Sequence, residues 1–452
     1  MYERSRKTKI IATLGPSTQT TEVIAEMLRM GADAFRINFS HSSHDETKKL
    51  VQRVREAEKM AGKKVPIIAD LQGPTVRLGD FPQMYVSRDR EYTISRSGEI
   101  VVDEDAFYDL VAEGDTIIID GGRLWAKVLE KKDSELKVKF LTEGPISSRK
   151  TIAIHGKEYP FTAPTEKDVD DLRFAASIGI EGVAMSFVKT RSDILNLKGY
   201  LQQFGARMFI ISKIETISAV NNLRDILEET DYVLVARGDL GTHYPLVKIP
   251  EIQRHIIEMA MNYGKPSIVA TQLLESMIEN QMPTRAEITD VFMAVSMGAD
   301  SLMVSGETAV GKYPVEVVRW LNDIAAEAER YQKFRVRGTS LDEYDKFAEG
   351  VAYLSELIEG KLVAITTSGK TPQRLARFRP RSEIIGVCRD EFVFKKLRLV
   401  WGVVPFLTPE ISNDQAVIQA LREAGLLRSG EKAVITRSLK QGVTDAIKIV
   451  EV

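Results

Sequence analysis

The sequence predicts an α/β fold: a (β/α)8 TIM barrel, a small β-barrel lid domain inserted into it, and an open α/β domain at the C-terminus. Three observations predict this. Over the first three-quarters of the chain, short β-branched runs alternate with amphipathic helical runs, the pattern of a parallel sheet wrapped by helices. There are eight such runs, the number that closes this barrel. Between about Thr75 and Phe161 the helical period lapses, and TIIID, LKVKFL and KTIAI alternate at period two instead.

In order, the barrel runs are Lys9–Gly15, Ala34–Ser40, Pro66–Gln72, Gly182–Val188, Met208–Glu215, Tyr232–Asp239, Ser267–Gln272 and Ser301–Glu307. Between them lie segments with apolar residues at three-to-four spacing, such as Asp45–Ala61, Thr165–Ile178, Ile217–Leu227, Ile252–Tyr263 and Arg285–Met297. The β insertion follows the third strand, which places it on the C-terminal rim of the barrel, ready to close over a site there. After Gln332 come a helix over Leu341–Ile358 and the runs KLVAITTS, EIIGVC, GVVPFL and KAVITRS, separated by helices. The expected domains are residues 1–74 with 162–334, 75–161, and 335–452.

The bulk numbers agree with this plan. A chain of 452 residues exceeds one ordinary domain and suggests about three. With 44% hydrophobic and 28% charged residues, it can build a large core and is not a disordered chain. A net charge of −2 with mixed signs excludes the basic stripe that nucleic acid requires. The start MYERSRKTKIIATLGP is not a signal peptide, and no uninterrupted apolar stretch is long enough to span a bilayer. The single cysteine, Cys388, forms no intrachain disulfide, so a cytoplasmic location and a core role for its thiol are expected.

In such a barrel, polar residues at the C-terminal ends of strands carry the information. Five ends are polar: Arg36-Ile-Asn38-Phe-Ser40-His41, Asp70-Leu-Gln72, Lys213-Ile-Glu215, Arg237-Gly-Asp239 and Thr271-Gln272. Polar and apolar residues alternate there, so the polar ones share a face and converge on the barrel axis. One Lys-Ile-Glu alone reads as a structural ion pair; five converging ends read as a site. Glu215 and Asp239 on adjacent strands suit a hard cation, Mg²⁺, with waters and substrate oxygens completing six-fold coordination. The five histidines have no metal-ligand spacing. Gly306–Tyr313 nearly spells a phosphate loop but ends in Tyr313 and Pro314, which supply no compact hydroxyl for Mg²⁺.

The strings KTKIIATLGPS, GADAFRINFSH, IADLQGP, ISKIE, ARGDLG, ATQLLESM, PTRAEITDV and MVSGETAVGKYP resemble the pyruvate kinase family in order and spacing, across the chain from Lys7 onward. The resemblance implies transfer of the phosphoryl group of phosphoenolpyruvate to ADP, giving ATP and pyruvate, the final step of glycolysis. It implies Lys213, Arg36 and Thr271 as catalytic residues, with Ala236, Arg237, Gly238 and Asp239 completing the substrate site. Asn38, His41, Arg77 and Lys150 fall on the nucleotide side, and Glu215 with Asp239 on Mg²⁺ or Mn²⁺. Asn38, Ser40, Asp70 and the Leu71 carbonyl match a monovalent-cation cage. Leu71 and Thr75, however, stand where K⁺-dependent members carry Thr and Glu, so bound K⁺ without a strict requirement is expected. Thr366, Thr367, Ser368, Gly369, Lys370 and Thr371 match a loop that holds phosphorylated effectors, and equally read as a capped turn. The family is usually tetrameric. A Mg²⁺-dependent aldolase or lyase of the same barrel type explains the carboxylates but has no use for a nucleotide lid; a non-catalytic sensor would not retain Lys213 and both carboxylates.

Overall fold

The computed structural model describes residues 6–331, 342–411, 413–437 and 446–452. Eight parallel strands, Lys9–Leu14, Ala34–Asn38, Ile67–Asp70, Gly182–Met185, Phe209–Ile214, Tyr232–Ala236, Ser267–Ala270 and Ser301–Val304, pair in chain order, and the eighth closes on the first. They are buried on both faces and therefore rich in Ile, Val and Ala rather than alternately polar. Ile10, Ala12 and Leu14 pack outward into one cluster with helix residues such as Ile24, Val54 and Leu172. Residues of the other parity, including Ile11, Ala34, Ile68, Ile211 and Leu234, fill the barrel interior. The helices outside are started by side-chain caps; Ser43, Thr165 and Thr284 each close a capping box with an acidic residue three positions on.

Several strands stop earlier than the hydrophobic runs suggest. The fourth ends at Met185 because Phe187 takes φ +55°, and the seventh ends at Ala270 because Thr271 and Gln272 take φ +70° and +52°. Left-handed residues cannot continue a pleat. The sixth and eighth give way to short helices, Arg237–His243 and Gly306–Ala309. Each early stop lies on the rim that carries the polar residues.

The insertion, expected as a small β-barrel, forms a six-stranded sheet in the order Ile152–Ile154, Thr116–Ile119, Leu124–Lys132, Glu135–Phe140, Glu91–Ser95, Ile100–Val101. A separate ribbon pairs Gly144–Ile146 with Met84–Val86. In the C-terminal region, the strands Lys361–Ile365, Ile384–Cys388, Val403–Leu407 and Lys432–Arg437 are parallel, and an unanticipated antiparallel strand, Ala446–Glu451, adds an edge. The helix expected over Leu341–Ile358 runs over Glu343–Leu357; its expected first residue and the expected 334/335 boundary lie outside the described residues.

The C-terminal sheet domain docks on the starts of the barrel strands. Lys9 Nζ donates to Val403 O (2.8 Å), Tyr232 Oη to Lys396 O (2.6 Å), and buried Arg379 pairs with buried Asp300 at 2.9 Å. The interior barrel cluster runs on without a break into Ala348, Leu362, Leu375 and Val434 of that domain. The opposite rim is left to the lid.

Candidate active site

The inward parity that is apolar in the lower barrel becomes polar at its upper end. Thr13 follows Ile11, Arg36 and Asn38 follow Ala34, Asp70 follows Ile68, Ser186 follows Ala184, and Lys213 and Glu215 follow Ile211. Strand register puts Arg36 beside Thr13 and Asn38 beside Asp70. A period of two and a parallel register thus gather residues from five strands on one axis.

Lys213 is the hub. Its ammonium donates to Ser186 Oγ at 2.7 Å and lies 2.7 Å from Glu215 Oε1 and 3.4 Å from Asp70 Oδ1. Asp70 Oδ2 accepts from Arg36 Nε at 2.6 Å, and Arg36 Nη1 donates to Thr13 Oγ1 at 3.1 Å. Burial works against the charge on Lys213, yet Asp70 and Glu215 more than reverse this and hold its pKa above the lysine range. The same cations, Lys213 and then Arg36, hold Asp70 below its ordinary value against burial. Glu215, fully buried, is pushed up to about 7, first by burial and then by Asp239, against Lys213. Asp239 is likewise raised by burial, and Asp70 adds to the rise. Glu215 Oε2 accepts from Phe187 N at 2.8 Å, whereas Oε1 is buried and receives no hydrogen bond beyond the ammonium contact.

Across from this cluster stands the lid. Lys213, Glu215 and Asp239 line a cavity of ≈ 200 Å³ together with Arg77, Ile118, Gly121 and Tyr159 of the insertion. The crossing needs Gly73: its φ is +69°, and a Cβ there would lie 2.8 Å from the side chains of Ser186 and Phe187. His41 is shifted down by burial and then by Arg77, Arg36 and Lys150, so this imidazole and three cationic side chains share one neighbourhood at the mouth. Arg77 Nη1 donates to Arg149 O, Lys150 pairs with Asp120 at 3.1 Å, and Arg149 takes Asp80 instead of the cleft. The lid is fastened to the barrel by Glu158, which accepts from Ser218 N (2.8 Å) and Oγ (2.6 Å), and by His155, whose Nδ1 donates to Thr242 O (2.9 Å).

Other expected residues stand differently from the simplest reading. The Arg237 guanidinium does not enter the cluster: it holds Asp290 and the carbonyls of Thr271 and Gln272. Gly238 N donates to Thr271 Oγ1 at 3.0 Å, so that amide of the Ala236–Asp239 turn is already engaged. Asn38 Oδ1 accepts from Ser40 N, and Leu71 O accepts from Ser186 Oγ at 2.7 Å. In the near phosphate loop, Lys312 pairs on the surface with Glu279 at 2.5 Å. Thr366 Oγ1 accepts from Gly369 N at 2.9 Å, while Thr367, Ser368 and Lys370 are exposed. Sequence reasoning passed over Ser186 and Thr13; their only signal was a hydroxyl on the inward parity of a strand end.

Among the described residues no three acidic, His or Cys side chains gather as a metal cage, and no helix is long and apolar enough to cross a membrane. Comparison with known proteins adds the decisive finding. Residues 5–318 match the family model of the pyruvate kinase barrel domain, and residues 346–450 that of the pyruvate kinase alpha/beta domain. A pyruvate kinase of Thermotoga maritima is 33% identical over 99% of this chain and 100% of that protein. One from Mycobacterium tuberculosis is 34% identical over 99% and 98%. The crystal structure of a pyruvate kinase from Cryptosporidium parvum superposes with a TM-score of 0.90 at 30% identity, covering 99% of this chain and 96% of that one. Both domain models match and the likeness runs along the full length in sequence and in fold, so the chain belongs to the pyruvate kinase family.

Proposed function

We propose that this chain moves the phosphoryl group of phosphoenolpyruvate onto ADP in the cleft between barrel and lid, with Lys213 at the transferring group. The observation that carries this is the Lys213 hub, an ammonium held charged in a buried cluster that lines the cleft under the lid. Phosphoryl transfer asks the protein chiefly to position reactants and offset charge. Lys213 and Arg36 flank the phosphoryl group, and Asp70, bonded to Arg36 and close to Lys213, sets both in place. Arg77, His41, Asn38 and Lys150 face the ADP phosphates from the mouth, and lid closure keeps water out. The Ala236–Asp239 turn receives the substrate carboxylate. Thr271 stands where enolpyruvate takes its proton to become pyruvate.

Glu215 and Asp239 fit Mg²⁺ or Mn²⁺. Beyond the Lys213 ammonium contact, Glu215 Oε1 is buried and receives no hydrogen bond, and the Asp239 carboxyl adds to the rise in the Glu215 pKa, so a cation beside the two would relieve both. With only two protein carboxylates, substrate and water oxygens complete the shell. Such an ion, when bound, neutralises charge on the phosphoryl oxygens.

The same residues fit K⁺ poorly. The charge of Asp70 is already matched by Arg36 and Lys213, Asn38 Oδ1 and Leu71 O accept bonds from within the chain, and Thr75 brings no carboxylate. The loop Thr366–Thr371 remains the proposed place for a phosphorylated effector, and a homotetramer the proposed assembly. The buried Cys388 thiol, pushed up to about 12 by burial, suits a structural role in a reducing cytoplasm.

The test is ATP formation from phosphoenolpyruvate and ADP, with Mg²⁺ titrated in Glu215→Gln and Asp239→Asn. Each variant should raise the Mg²⁺ needed for half-maximal rate by about tenfold or more. Wild-type titration curves in both would move the metal elsewhere.

A further inference from the structure

One conspicuous string, PTRAEITDV, contributes nothing to the cleft lining. Its residues begin the helix Arg285–Ser296, and its two carboxylates, Glu287 and Asp290, stand one turn apart. Glu287 accepts from Ser276 N at 2.7 Å and Oγ at 2.5 Å, gripping the loop that leaves the seventh strand. Asp290 places both oxygens 2.8 Å from Arg237 Nη1. The rest of that guanidinium is spent on the same loop. Nε and Nη2 donate to Thr271 O at 3.2 and 2.5 Å, and Nη2 also to Gln272 O at 3.1 Å.

Thr271 and Gln272 are the two consecutive left-handed residues that end the strand. A β-branched residue at φ +70° is strained and persists only where its surroundings over-determine it. Here the surroundings are named. Arg237 holds the two carbonyls, and the amide of the next residue, Gly238, holds Thr271 Oγ1 at 3.0 Å. Arg237 is almost buried, with a side-chain exposure of 10%, and the carboxylate bonded to it is Asp290. With both Asp290 oxygens on the one nitrogen Nη1, the planar guanidinium is left with Nε and Nη2 directed at the loop carbonyls.

We infer that Asp290 is a positioning residue for phosphoryl transfer and its protonation step: through Arg237 it fixes Thr271 and Gln272 in the conformation that the substrate site requires. This rests on the assignment of Thr271 to the protonation of enolpyruvate. That step transfers a proton to the methylene carbon, and its reverse exchanges the methyl hydrogens of pyruvate with solvent.

The full chain is compared as wild type, Asp290→Ala, Asp290→Asn and Thr271→Val. The readouts are kcat, the KM for phosphoenolpyruvate and for ADP, the thermal midpoint, and deuterium uptake into pyruvate followed by ¹H NMR. Misplacement by about 1 Å costs on the order of 10²-fold. Asp290→Ala is therefore expected to lose roughly ten- to a hundredfold in kcat and in exchange, with both KM values within about twofold and the thermal midpoint near wild type. Asp290→Asn, which keeps one acceptor without the charge, should fall between. If Asp290→Ala does not fold, Asp290→Asn decides on the same readouts. Exchange lost in Thr271→Val but intact in both Asp290 variants overturns the positioning role. Intact exchange in Thr271→Val overturns the underlying assignment of Thr271, and the inference with it. A fall in thermal midpoint with kcat unchanged makes Asp290 purely structural and also overturns the proposal.

Discussion

Replacing Lys213 by Met removes one ammonium while keeping a chain of similar length in the barrel. The geometry fixes what is lost. At 2.7 Å from Glu215 Oε1 and an effective dielectric constant of about 20, the pair attraction alone is roughly 6 kcal/mol, much of it offset by desolvation. Breaking a buried pair leaves the partner charge uncompensated, at about 3–5 kcal/mol. Two consequences separate cleanly. Without Mg²⁺, Lys213→Met should unfold at lower temperature than wild type, because Asp70 and Glu215 lose their shared countercharge; added Mg²⁺ should recover part of that loss. With saturating Mg²⁺, kcat should fall by about 10³-fold or more, near 4 kcal/mol of barrier, since among the described residues no other ammonium pairs with Asp70 or Glu215 to meet the phosphoryl group. Coupled steady-state assays and thermal melts across a Mg²⁺ series measure both. A variant that retains activity within tenfold of wild type refutes the hub assignment.

In K⁺-free and Na⁺-free buffer with a tetramethylammonium counter-ion, activity should remain substantial and rise at most a few-fold with K⁺; a rise of about a hundredfold, worth roughly 2.7 kcal/mol, would show that Leu71 and Thr75 have been misread. Glu158→Ala removes two bonds that fasten the lid to Ser218, so the KM for ADP should increase several-fold while phosphoenolpyruvate binding holds; an unchanged KM for ADP makes that contact irrelevant to closure. Asp33 is buried, which alone would raise its pKa, but Arg6, then Lys63 and Lys9, drive it well below the ordinary 3.8. Its folded pKa is depressed, so its stabilisation is present above about pH 4 and is lost as pH falls through the folded value. Asp33→Asn should therefore lower the thermal midpoint at pH 7, with a gap that narrows steadily as pH falls below about 4, and a gap independent of pH would contradict this.

The site was legible in the sequence to the extent that period two could be read at strand ends. Arg36, Asn38, Asp70, Lys213 and Glu215 all fall on the inward parity set by Ala34, Ile68 and Ile211, and the parity alone brings them together. What stayed hidden has a common cause, namely dependence on a partner distant in sequence. Ser186 looks like any strand serine until Lys213 is 2.7 Å away. Arg237 reads as a substrate ligand because its neighbours are, and only Asp290, fifty-three positions on, shows where its charge goes. The early strand ends could not be read either, since nothing in Phe187, Thr271 or Gln272 favours a positive φ locally. The edge strand Ala446–Glu451 reads AIKIVE, which does not alternate at period two, and its antiparallel pairing with Lys432–Arg437 is set by the sheet, not by the run itself.

The unbroken apolar cluster that runs from the barrel interior into the C-terminal domain bears on how such a chain can be cut and recombined. Phe209, at the start of the fifth strand, has its ring 6.4 Å from that of Phe392, and Tyr232 beside it is wholly covered. The C-terminal domain is thus the floor of the barrel. A fragment ending before it would present an open ring of aromatic and aliphatic side chains to water, the kind of contiguous patch that drives association. For this chain the catalytic barrel is not a transferable module, and any ancestor or engineered chimera that exchanges the last domain must bring a replacement stopper of matching shape.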